Sequence, residues 1–361
     1  MEEWLMAIII TDNDVRRYMP MKDCIEAMHT AFADFSKGQA HSPPRVRYIS
    51  ETEDPNRKYW SNVHAGAVPS LGMACVRAGS HVISFDPDAV SGRARSYPDS
   101  KNWSVIILYD LSTAEPIAFM HESYLSGMRV AATSGAVVNS VSRETVTTLG
   151  LFGAGRQARA HVLAICAVRP SISTVMLYSP TADHCQKFAA EMHVDGVKII
   201  PCNYPREAVD GCDIICAATA SSRPVFDGKW LQDGQMVISI ANSDKNLKRY
   251  EVDSQVLQSA ETILINDWHS VEENEQIELT DLVFSDKVPR NRVIEIGDLF
   301  AQKRRVRQKK TEIVYYKNNS GLGIQFAAAG AVIYNKVKHL DNRKKIPPDW
   351  LGAEAYSQGT N

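Results

Sequence analysis

The fold of this chain is decided by one stretch, which reads Thr147-Thr-Leu-Gly-Leu-Phe-Gly-Ala-Gly-Arg-Gln-Ala158. It begins as a short apolar strand, turns through a Gly-x-Gly-x-x-Ala sequence and continues into a helical pattern. In such a turn Gly153 permits the tight bend, Gly155 lets the backbone approach a pyrophosphate, and Ala158 allows close packing of helix and strand. The free N–H groups of the helix N-terminus then face the phosphates. We therefore predict a dinucleotide site at Gly153, Ala154, Gly155, Arg156, Gln157 and Ala158.

Five apolar segments after the turn have the length and composition of strands, and most are separated by helical patterns. They are residues 173–178, 197–200, 213–219, 236–240 and 262–266. Repeated strand–helix units form a doubly wound parallel sheet, here of about six strands, so we predict an α/β fold of the Rossmann type. Ligands bind outside the carboxyl ends of such strands, which places Thr219, Ser221 and Asn242 near the cofactor. The alternative is an ordinary tight strand–helix turn that binds nothing.

The first third of the chain has the pattern of a second, mixed sheet. An amphipathic helix is predicted at residues 21–35. Short segments with strand character, spaced by Pro, Gly and Asn, are residues 5–10, 45–49, 59–63, 73–77 and 104–109. The segment 86–101 has no periodicity and is predicted to be a loop. A chain of 361 residues is too long for one typical core, so we expect two domains.

Composition and charge argue against several classes of function. The chain is 44% hydrophobic and 23% charged, and its net charge of −2 gives no reason to expect a nucleic acid or a membrane as a partner. The apolar run at 5–10 is too short to span a bilayer, and the glutamates before it argue against a signal peptide. The segment 295–310 is predicted to be a charged helix, and its basic run at 303–310 is interpreted as a solvated face.

The seven cysteines are odd in number and scattered, and none forms a Cys-x-x-Cys pair. This pattern indicates neither a zinc site nor a disulfide framework. We therefore expect no metal, reduced thiols and a cytoplasmic location.

The residues around the fingerprint turn resemble those of a known family. Gly-Met-Arg129-Val-Ala-Ala-Thr, followed by the turn, is similar to the Arg-Thr-x-Ala element and Gly-x-Gly-x-Gln-Ala turn of the ornithine cyclodeaminase/mu-crystallin family. The similarity continues through Ala-Thr-Ala-Ser221, Glu-Val-Asp253 and the glycine loop that opens an apolar helix at 317–334. The resemblance implies that this closing helix returns to the N-terminal domain and that Gly321 lies near the nicotinamide.

The resemblance also implies a division of the chain and a mode of assembly. Residues 1–127 and 321–361 are expected to form a substrate-binding and dimerisation domain, and residues 128–320 a Rossmann NAD(P)-binding domain. Family members pair through the sheet domain, so we expect a homodimer.

The resemblance assigns a substrate carboxylate to Arg45, Arg77 and Arg129. Arg77 departs from the family, which usually has lysine there, and Phe326 stands where the family usually has an aspartate. Guanidinium groups bind carboxylates bidentately, but they do not release protons near neutral pH. The three arginines therefore suit a carboxylate clamp and not a proton relay.

A nicotinamide cofactor makes hydride transfer the expected chemistry, and Asp244 and His81 are the candidate proton donors. The alternative for His64 and His81 is a structural role. The sequence around Asp244 lacks the Gly-Asp-x-Pro-Gly-Lys pattern of cyclodeaminases. We therefore expect an imino-acid reductase or amino-acid dehydrogenase, which acts on a C–N bond next to a carboxylate. The alternatives are a cyclodeaminase-type lyase that recycles NAD, and a non-catalytic, NADP-dependent binding protein of the mu-crystallin type.

The choice of cofactor depends on the end of the second strand of the nucleotide unit. An NAD site usually has Asp or Glu there, whereas this chain has Tyr178-Ser-Pro-Thr181 and no acid before Asp183. Ser179 and Thr181 can bind a 2′-phosphate, and Arg156 can pair with it. We therefore favour NADP(H) over NAD(H). The alternative is that Ser179 and Thr181 only cap the helix that starts near Ala182.

Overall fold

A computed structural model gives the structure of the protein. The structure describes residues 6–85, 94–96, 103–241, 249–273, 276–318, 321–341, 343–347 and 350–352. The predicted site residues Asn242 and Asp244, and most of the predicted loop 86–101, lie outside the described residues.

The chain first forms a sheet with helices beside it and then a regular alternation of strands and helices. Up to residue 141 the elements are β1 (Ala7–Ile10), α1 (Asp12–Tyr18), α2 (Met21–Ser36), β2 (Val46–Glu51), β3 (Lys58–Val68), β4 (Met73–Phe85), β5 (Ala94–Ser96), β6 (Val105–Asp110), β7 (Pro116–His121) and α3 (Ser123–Val141). The following elements are β8 (Thr148–Phe152), α4 (Arg156–Val168), β9 (Thr174–Tyr178), α5 (Ala182–Glu191), β10 (Lys198–Pro201), β11 (Ile214–Ala217), β12 (Met236–Ser239), α6 (Ser254–Ser259), β13 (Thr262–Ile265), α7 (Trp268–Glu273), α8 (Ile277–Phe284), β14 (Val293–Glu295), α9 (Ile296–Phe300), β15 (Val314–Lys317), α10 (Gly323–Val337) and β16 (Lys345–Ile346).

The first sheet is mixed, as predicted. Its strand order is β16-β1-β7-β6-β4-β3-β2, with β5 paired to β4. Strands β1 and β7 run parallel, and the other pairs in the sheet are antiparallel. Strands β3 and β4 are longer than the sequence pattern indicated, because they continue to pair for eleven residues each from Lys58 to Val68 and from Met73 to Ile83.

The second sheet is entirely parallel, with the order β10-β9-β8-β11-β12-β15-β13-β14. Strands β9 and β10 are added on one side of β8, and β11 and the later strands are added on the other side. This reversal of strand order confirms the predicted doubly wound fold and places a ligand crevice at the carboxyl ends of β8 and β11. The sheet has eight strands and not six, since β14 and β15 were missed. The predicted helix at 295–310 was also wrong beyond α9, because residues 301–310 form turns and irregular backbone.

Helices α2, α3, α4 and α10 share a continuous hydrophobic core with strands of both sheets. Helix α10 packs on β3 and β4, where a Cβ atom added to Gly66 would overlap the backbone of Gly323. The C-terminal helix therefore returns to the first sheet. Helix α3 runs unbroken through the boundary predicted at 127/128 and links the two sheets. Among the helices that the structure describes, none combines the length and apolar character needed to cross a bilayer.

Candidate active site

The fingerprint turn has the geometry of a phosphate cradle. Gly153 has φ of 101°, and a Cβ atom there would lie 2.5 Å from the Ala218 carbonyl oxygen, so only glycine fits. At Gly155 an added Cβ atom would meet none of the described residues within 4 Å. Gly155 is the N-cap of α4 and has no side chain. The first N–H groups of the helix therefore receive no hydrogen-bond acceptor from the N-cap residue. Ala158 is fully buried. The open space and the uncapped helix end fit a pyrophosphate.

Arg156 and the end of β9 are not joined in this structure. The Arg156 guanidinium donates to the Ser123 hydroxyl at 2.8 Å, at the start of α3, and borders a cavity of about 440 Å³ between α3 and α4. Helix α5 begins at Ala182 with Thr181 as its N-cap, but the Thr181 side chain makes no capping hydrogen bond. The Thr181 side chain therefore does not cap α5, which was the alternative to binding a 2′-phosphate.

Glu251 holds the carboxyl ends of β11 and β12 in place. Its fully buried carboxylate accepts hydrogen bonds from the Thr219 N–H at 2.5 Å and the Thr219 hydroxyl at 2.8 Å. It also accepts from the backbone N–H groups of Ile240 at 2.8 Å and Ala241 at 2.7 Å. The Ser221 N–H in turn donates to the Thr219 hydroxyl at 3.1 Å. The loops predicted to face the cofactor are thus organised by a carboxylate that sequence reasoning assigned no role.

Lys317 supports the same strand ends from β15. Its ammonium group is buried and donates to the Ala241 carbonyl at 2.6 Å and to the Ser239 hydroxyl at 3.2 Å. Burial raises the pKa of Glu251 above its ordinary value, although the nearby Lys317 charge and the backbone hydrogen bonds act against that rise. Glu251 and Lys317 therefore occupy one buried site at the carboxyl ends of β11 and β12.

The strand register places a row of polar and aromatic side chains on one face of the first sheet. His64 pairs with Arg77, and Trp60 pairs with His81, across β3 and β4. Because alternate residues of a strand share a face, the side chains on this face include those of Arg47, Trp60, Asn62, His64, Arg77 and His81. Helix α10 packs on this face and adds Phe326, and the Arg129 side chain of α3 lies over the Phe326 ring. We call this surface the cleft face.

Arg77 is committed to contacts within the protein. One of its Nη atoms donates to the Glu122 carboxylate at 2.8 Å and to the Ser104 hydroxyl at 3.2 Å, and the other donates to the Asn62 carbonyl at 3.0 Å. Burial alone would raise the pKa of Glu122, but Arg77 and other donors hold it below its ordinary value. The structure therefore shows Arg77 in a buried ion pair and not as an open clamp. Sequence reasoning missed Glu122.

Arg129 lies against Gln325, Phe326 and Gly321. Its Nη1 donates to the Gln325 side chain at 2.9 Å, and its guanidinium lies 4.4 Å from the centre of the Phe326 ring. A Cβ atom added to Gly321 would lie 3.2 Å from Arg129 Nη2 and 3.0 Å from His64 Nε2. Burial, with Arg77 and Arg45 as secondary causes, lowers the pKa of Arg129 to about 10. Arg129, His64 and Gly321 thus meet at one point.

The two candidate imidazoles have different surroundings. His64 is buried, with its ring 5.3 Å from that of Phe326, and burial together with Arg77 and Arg129 lowers its pKa well below the ordinary value. His81 instead packs 5.2 Å from the Trp60 ring. It lies four residues beyond Arg77 along β4, a distance of about 13 Å. The imidazole beside Arg129 is therefore that of His64 and not of His81.

Arg45 and Arg47 complete the cleft face at β2. The Arg47 guanidinium lies 4.8 Å from the Trp60 ring centre, and burial with Arg45, Arg249 and Arg77 lowers its pKa to about 8. Burial and Arg77 lower the pKa of Arg45 to about 10. Arg45 is thus in electrostatic reach of Arg77, and Arg47 is an additional cation. No cluster of His, Cys, Asp and Glu suited to a metal ion occurs among the described residues.

Comparisons with known proteins agree with this fold. The chain is 24% identical over 333 residues to the Delta(1)-pyrroline-2-carboxylate reductase of Bacillus cereus, covering 91% of this chain and 96% of that protein. Its fold matches the Thermococcus litoralis Delta(1)-pyrroline-2-carboxylate reductase in complex with NADH and L-proline, with a TM-score of 0.80 and 24% identity over 94% of this chain and 100% of the other. It also matches an archaeal alanine dehydrogenase dimer with bound NAD, with a TM-score of 0.78 and 22% identity over 94% and 99% of the two chains.

The sequence model of one family extends over nearly all of the chain, including both sheets and the fingerprint turn. Since it matches residues 6–341, the chain belongs to the Ornithine cyclodeaminase/mu-crystallin family.

Proposed function

We propose that the protein is an NAD(P)H-dependent oxidoreductase that acts on the C–N bond of an amino or imino acid. It reduces a C=N bond next to a carboxylate, or catalyses the reverse oxidation. The observation that carries this proposal is the meeting of Arg129, His64 and Gly321 on the cleft face. The names of the similar proteins, a pyrroline-2-carboxylate reductase and an alanine dehydrogenase, support the same reaction class.

In this proposal Arg129 anchors the substrate carboxylate and Arg45 assists it. Arg129 Nη2 and His64 Nε2 both lie close to Gly321, so a carboxylate bound by the guanidinium fork of Arg129 lies near His64. When bound, the nicotinamide supplies or accepts the hydride. The Arg77–Glu122 pair fixes the neighbouring backbone and contributes no net charge. The carboxylate anchor therefore sets the position of the carbon that reacts.

The proton requires a group other than the arginines. His64 has a lowered pKa and is neutral at pH 7, which suits a base that accepts a proton from a substrate ammonium during oxidation. A bound carboxylate beside it favours the protonated imidazole, which suits the reductive direction. We propose His64, with Asp244 and His81 as the other candidates, for this proton transfer.

We propose NADP(H) as the preferred cofactor. The end of β9 presents Ser179 and Thr181 and no acidic residue, and the Thr181 hydroxyl is not used as a helix cap. For Arg156 to pair with a 2′-phosphate, its side chain must leave Ser123. The similar solved structures contain NADH and NAD, so the comparison of the two cofactors is the necessary test.

We propose that the first sheet, completed by α10, forms a substrate and dimerisation domain of residues 1–127 and 321–361, opposite a nucleotide domain of residues 128–320. The face of this sheet opposite the cleft face exposes Val46 at 61%, Tyr48 at 49% and Val105 at 41%. Exposed apolar side chains on this face of β2 and β6 support a homodimer through it. Light scattering of a Val46→Arg variant tests the proposed homodimer, and the expected result is a monomer.

The experiment that tests the reaction is a screen of α-keto acid and amine pairs for loss of reduced-nicotinamide absorbance. Net consumption of the reduced cofactor is expected with at least one pair. A cyclodeaminase returns its hydride, so it releases ammonia without net consumption. A binding protein of the mu-crystallin type shows neither ammonia release nor net consumption of the reduced cofactor. A result of the cyclodeaminase kind or of the binding-protein kind would overturn the proposal.

A further inference from the structure

Arg47 adds a second cationic position to the cleft face, separate from Arg129. The strand register sets Arg47 opposite Asn62, and its guanidinium lies over Trp60. Arg129 instead meets His64, on the side of Gly321. The residues Trp60, Asn62 and His64 follow one another along this face of β3, so the two positions are separated by two to four strand residues, about 7 to 13 Å.

The side chain of Arg47 is held in a defined orientation. The Trp60 ring lies 4.8 Å beneath the guanidinium, and the His81 ring packs 5.2 Å from Trp60 on the adjacent strand. Stacking on an aromatic ring uses the face of a guanidinium and fixes its plane, so its hydrogen bonds form at its N–H edge. An edge of this kind binds a carboxylate bidentately. Arg47 is therefore built as an anion receptor and not as an exposed surface charge.

Like charges surround Arg47. Arg45, Arg249 and Arg77 each disfavour its charged form, in addition to the effect of burial. Arg45, Arg47 and Arg249 have further contacts within the protein, and a bound anion would join or exchange with those contacts. Gathering guanidinium groups in a partly buried site costs free energy, and an anion placed among them offsets that cost. Phe326 adds no negative charge on the Arg129 side, where its ring contacts the guanidinium.

We propose that the substrate is a dicarboxylic amino or imino acid. Its α-carboxylate binds Arg129, and its side-chain carboxylate binds Arg47. An extended four- or five-carbon dicarboxylate with a guanidinium at each end spans a distance of this order. This inference rests on the proposed function and specifies its substrate class.

The test compares keto acids that differ only in the second carboxylate. With ammonia or methylamine and NADPH, kcat/KM is measured for oxaloacetate against 2-oxobutyrate, and for 2-oxoglutarate against 2-oxopentanoate. We expect at least a tenfold preference for the dicarboxylic member of each pair. Arg47→Gln should lower that preference at least tenfold, and Arg47→Lys should recover part of it. A wild-type enzyme that uses the monocarboxylic acids equally well overturns the inference and leaves the proposed function standing.

A matched control and a binding measurement make the outcome decisive. Arg57→Gln removes the same charge from the β2–β3 turn, where Arg57 pairs with Asp54 and its side chain is 42% exposed, and should leave the preference unchanged. Absence of turnover with every acid, with NADPH and with NADH, contradicts the proposed function. In that case, the affinities of succinate against butyrate and of glutarate against valerate, followed by tryptophan fluorescence of the NADPH-loaded protein, test the inference alone. Equal affinities overturn it.

Discussion

The Arg77 guanidinium lies 2.8 Å from the Glu122 carboxylate, and both side chains are more than nine-tenths buried. The two residues are 45 positions apart in the chain and join β4 to the residue that precedes α3. Helix α3 carries Arg129, so this ion pair fixes the start of the helix that presents the proposed carboxylate anchor. It also neutralises one cation at the centre of the cleft face.

Replacing Glu122 with Gln should destabilise the protein by about 3 kcal/mol, because it leaves the buried Arg77 charge without its partner. The free energy of unfolding in urea measures this effect. Asp210→Asn is the control, since Asp210 pairs with Arg206 on the surface with 44% of its side chain exposed, and it should cost less than about 0.5 kcal/mol. Equal losses in the two variants would contradict a stabilising role for the buried pair.

Replacing Arg129 with Lys should lower kcat/KM by an amount that corresponds to about 2–3 kcal/mol of transition-state stabilisation. Lysine keeps the charge but loses the planar fork that binds a carboxylate. Cofactor affinity should be retained, because the proposed pyrophosphate site lies at Gly153–Ala158. Steady-state kinetics and a cofactor titration check the two parts. An unchanged kcat/KM would remove Arg129 from the substrate site.

Two glycines near the fingerprint should respond differently to substitution by alanine. At Gly155 the added Cβ atom has open space, so stability should stay within about 0.5 kcal/mol of wild type. Cofactor affinity should fall at least tenfold, because the methyl group occupies the approach of the pyrophosphate. At Gly150 the Cβ atom would overlap the Ala208 carbonyl, so that variant should be destabilised before any ligand is added. Chemical unfolding and cofactor titration distinguish these outcomes.

The fingerprint site was predictable because its signal is local. Gly153 and Gly155 have short-range backbone requirements that a strand–turn–helix pattern reveals, and the structure confirms the tight turn at Gly153. Strand β15 was missed because it has four residues, ends in Lys317 and follows a highly charged segment. A buried lysine at a strand end is recognised only when its partners, Ser239 and Ala241, are known.

The missed residues of the candidate site depend on contacts between distant segments. Glu122 pairs with Arg77, and His64 meets Arg129, only after the two sheets and α3 have assembled. The alternation of β3 does place His64 and Trp60 on one face, but the sequence does not show which face a helix will cover. The resemblance supplied Arg129, and the structure places its guanidinium beside Gly321.

Cofactor choice can be tested at the end of β9. If Ser179 and Thr181 bind a 2′-phosphate, the wild-type protein should bind NADPH more tightly than NADH. Arg156→Ala should then weaken NADPH binding far more than NADH binding, because only the phosphate pairs with the guanidinium. Ser123→Ala, which removes the Arg156 hydrogen bond in this structure, should not weaken NADPH binding. Fluorescence titration with both cofactors checks this, and equal or tighter NADH binding would refute it.

Stability should fall in mild acid because of buried His161. Its Nε2 lies 3.0 Å from the Ser134 hydroxyl and its Nδ1 lies 2.8 Å from the Gln157 carbonyl. Since the Gln157 carbonyl can only accept, the neutral imidazole carries its proton on Nδ1, and its Nε2 accepts from the Ser134 hydroxyl. Burial lowers the pKa of His161 to about 4, although the hydrogen bond to Gln157 acts against this shift.

An unfolded chain has a histidine pKa of about 6.5, so between about pH 6.5 and pH 4 it binds a proton that the folded protein does not. The contribution of the neutral His161 side chain to the free energy of unfolding is complete above pH 6.5. It is lost as the pH falls, by up to about 1.4 kcal/mol per pH unit. Urea unfolding at several pH values should show this slope of the free energy of unfolding against pH. His161→Gln should reduce the slope by the amount that corresponds to the uptake of one proton. His184→Gln, at an exposed position in α5, is the control and should keep the wild-type slope. The same slope in the His161 variant would show that His161 does not cause the acid sensitivity.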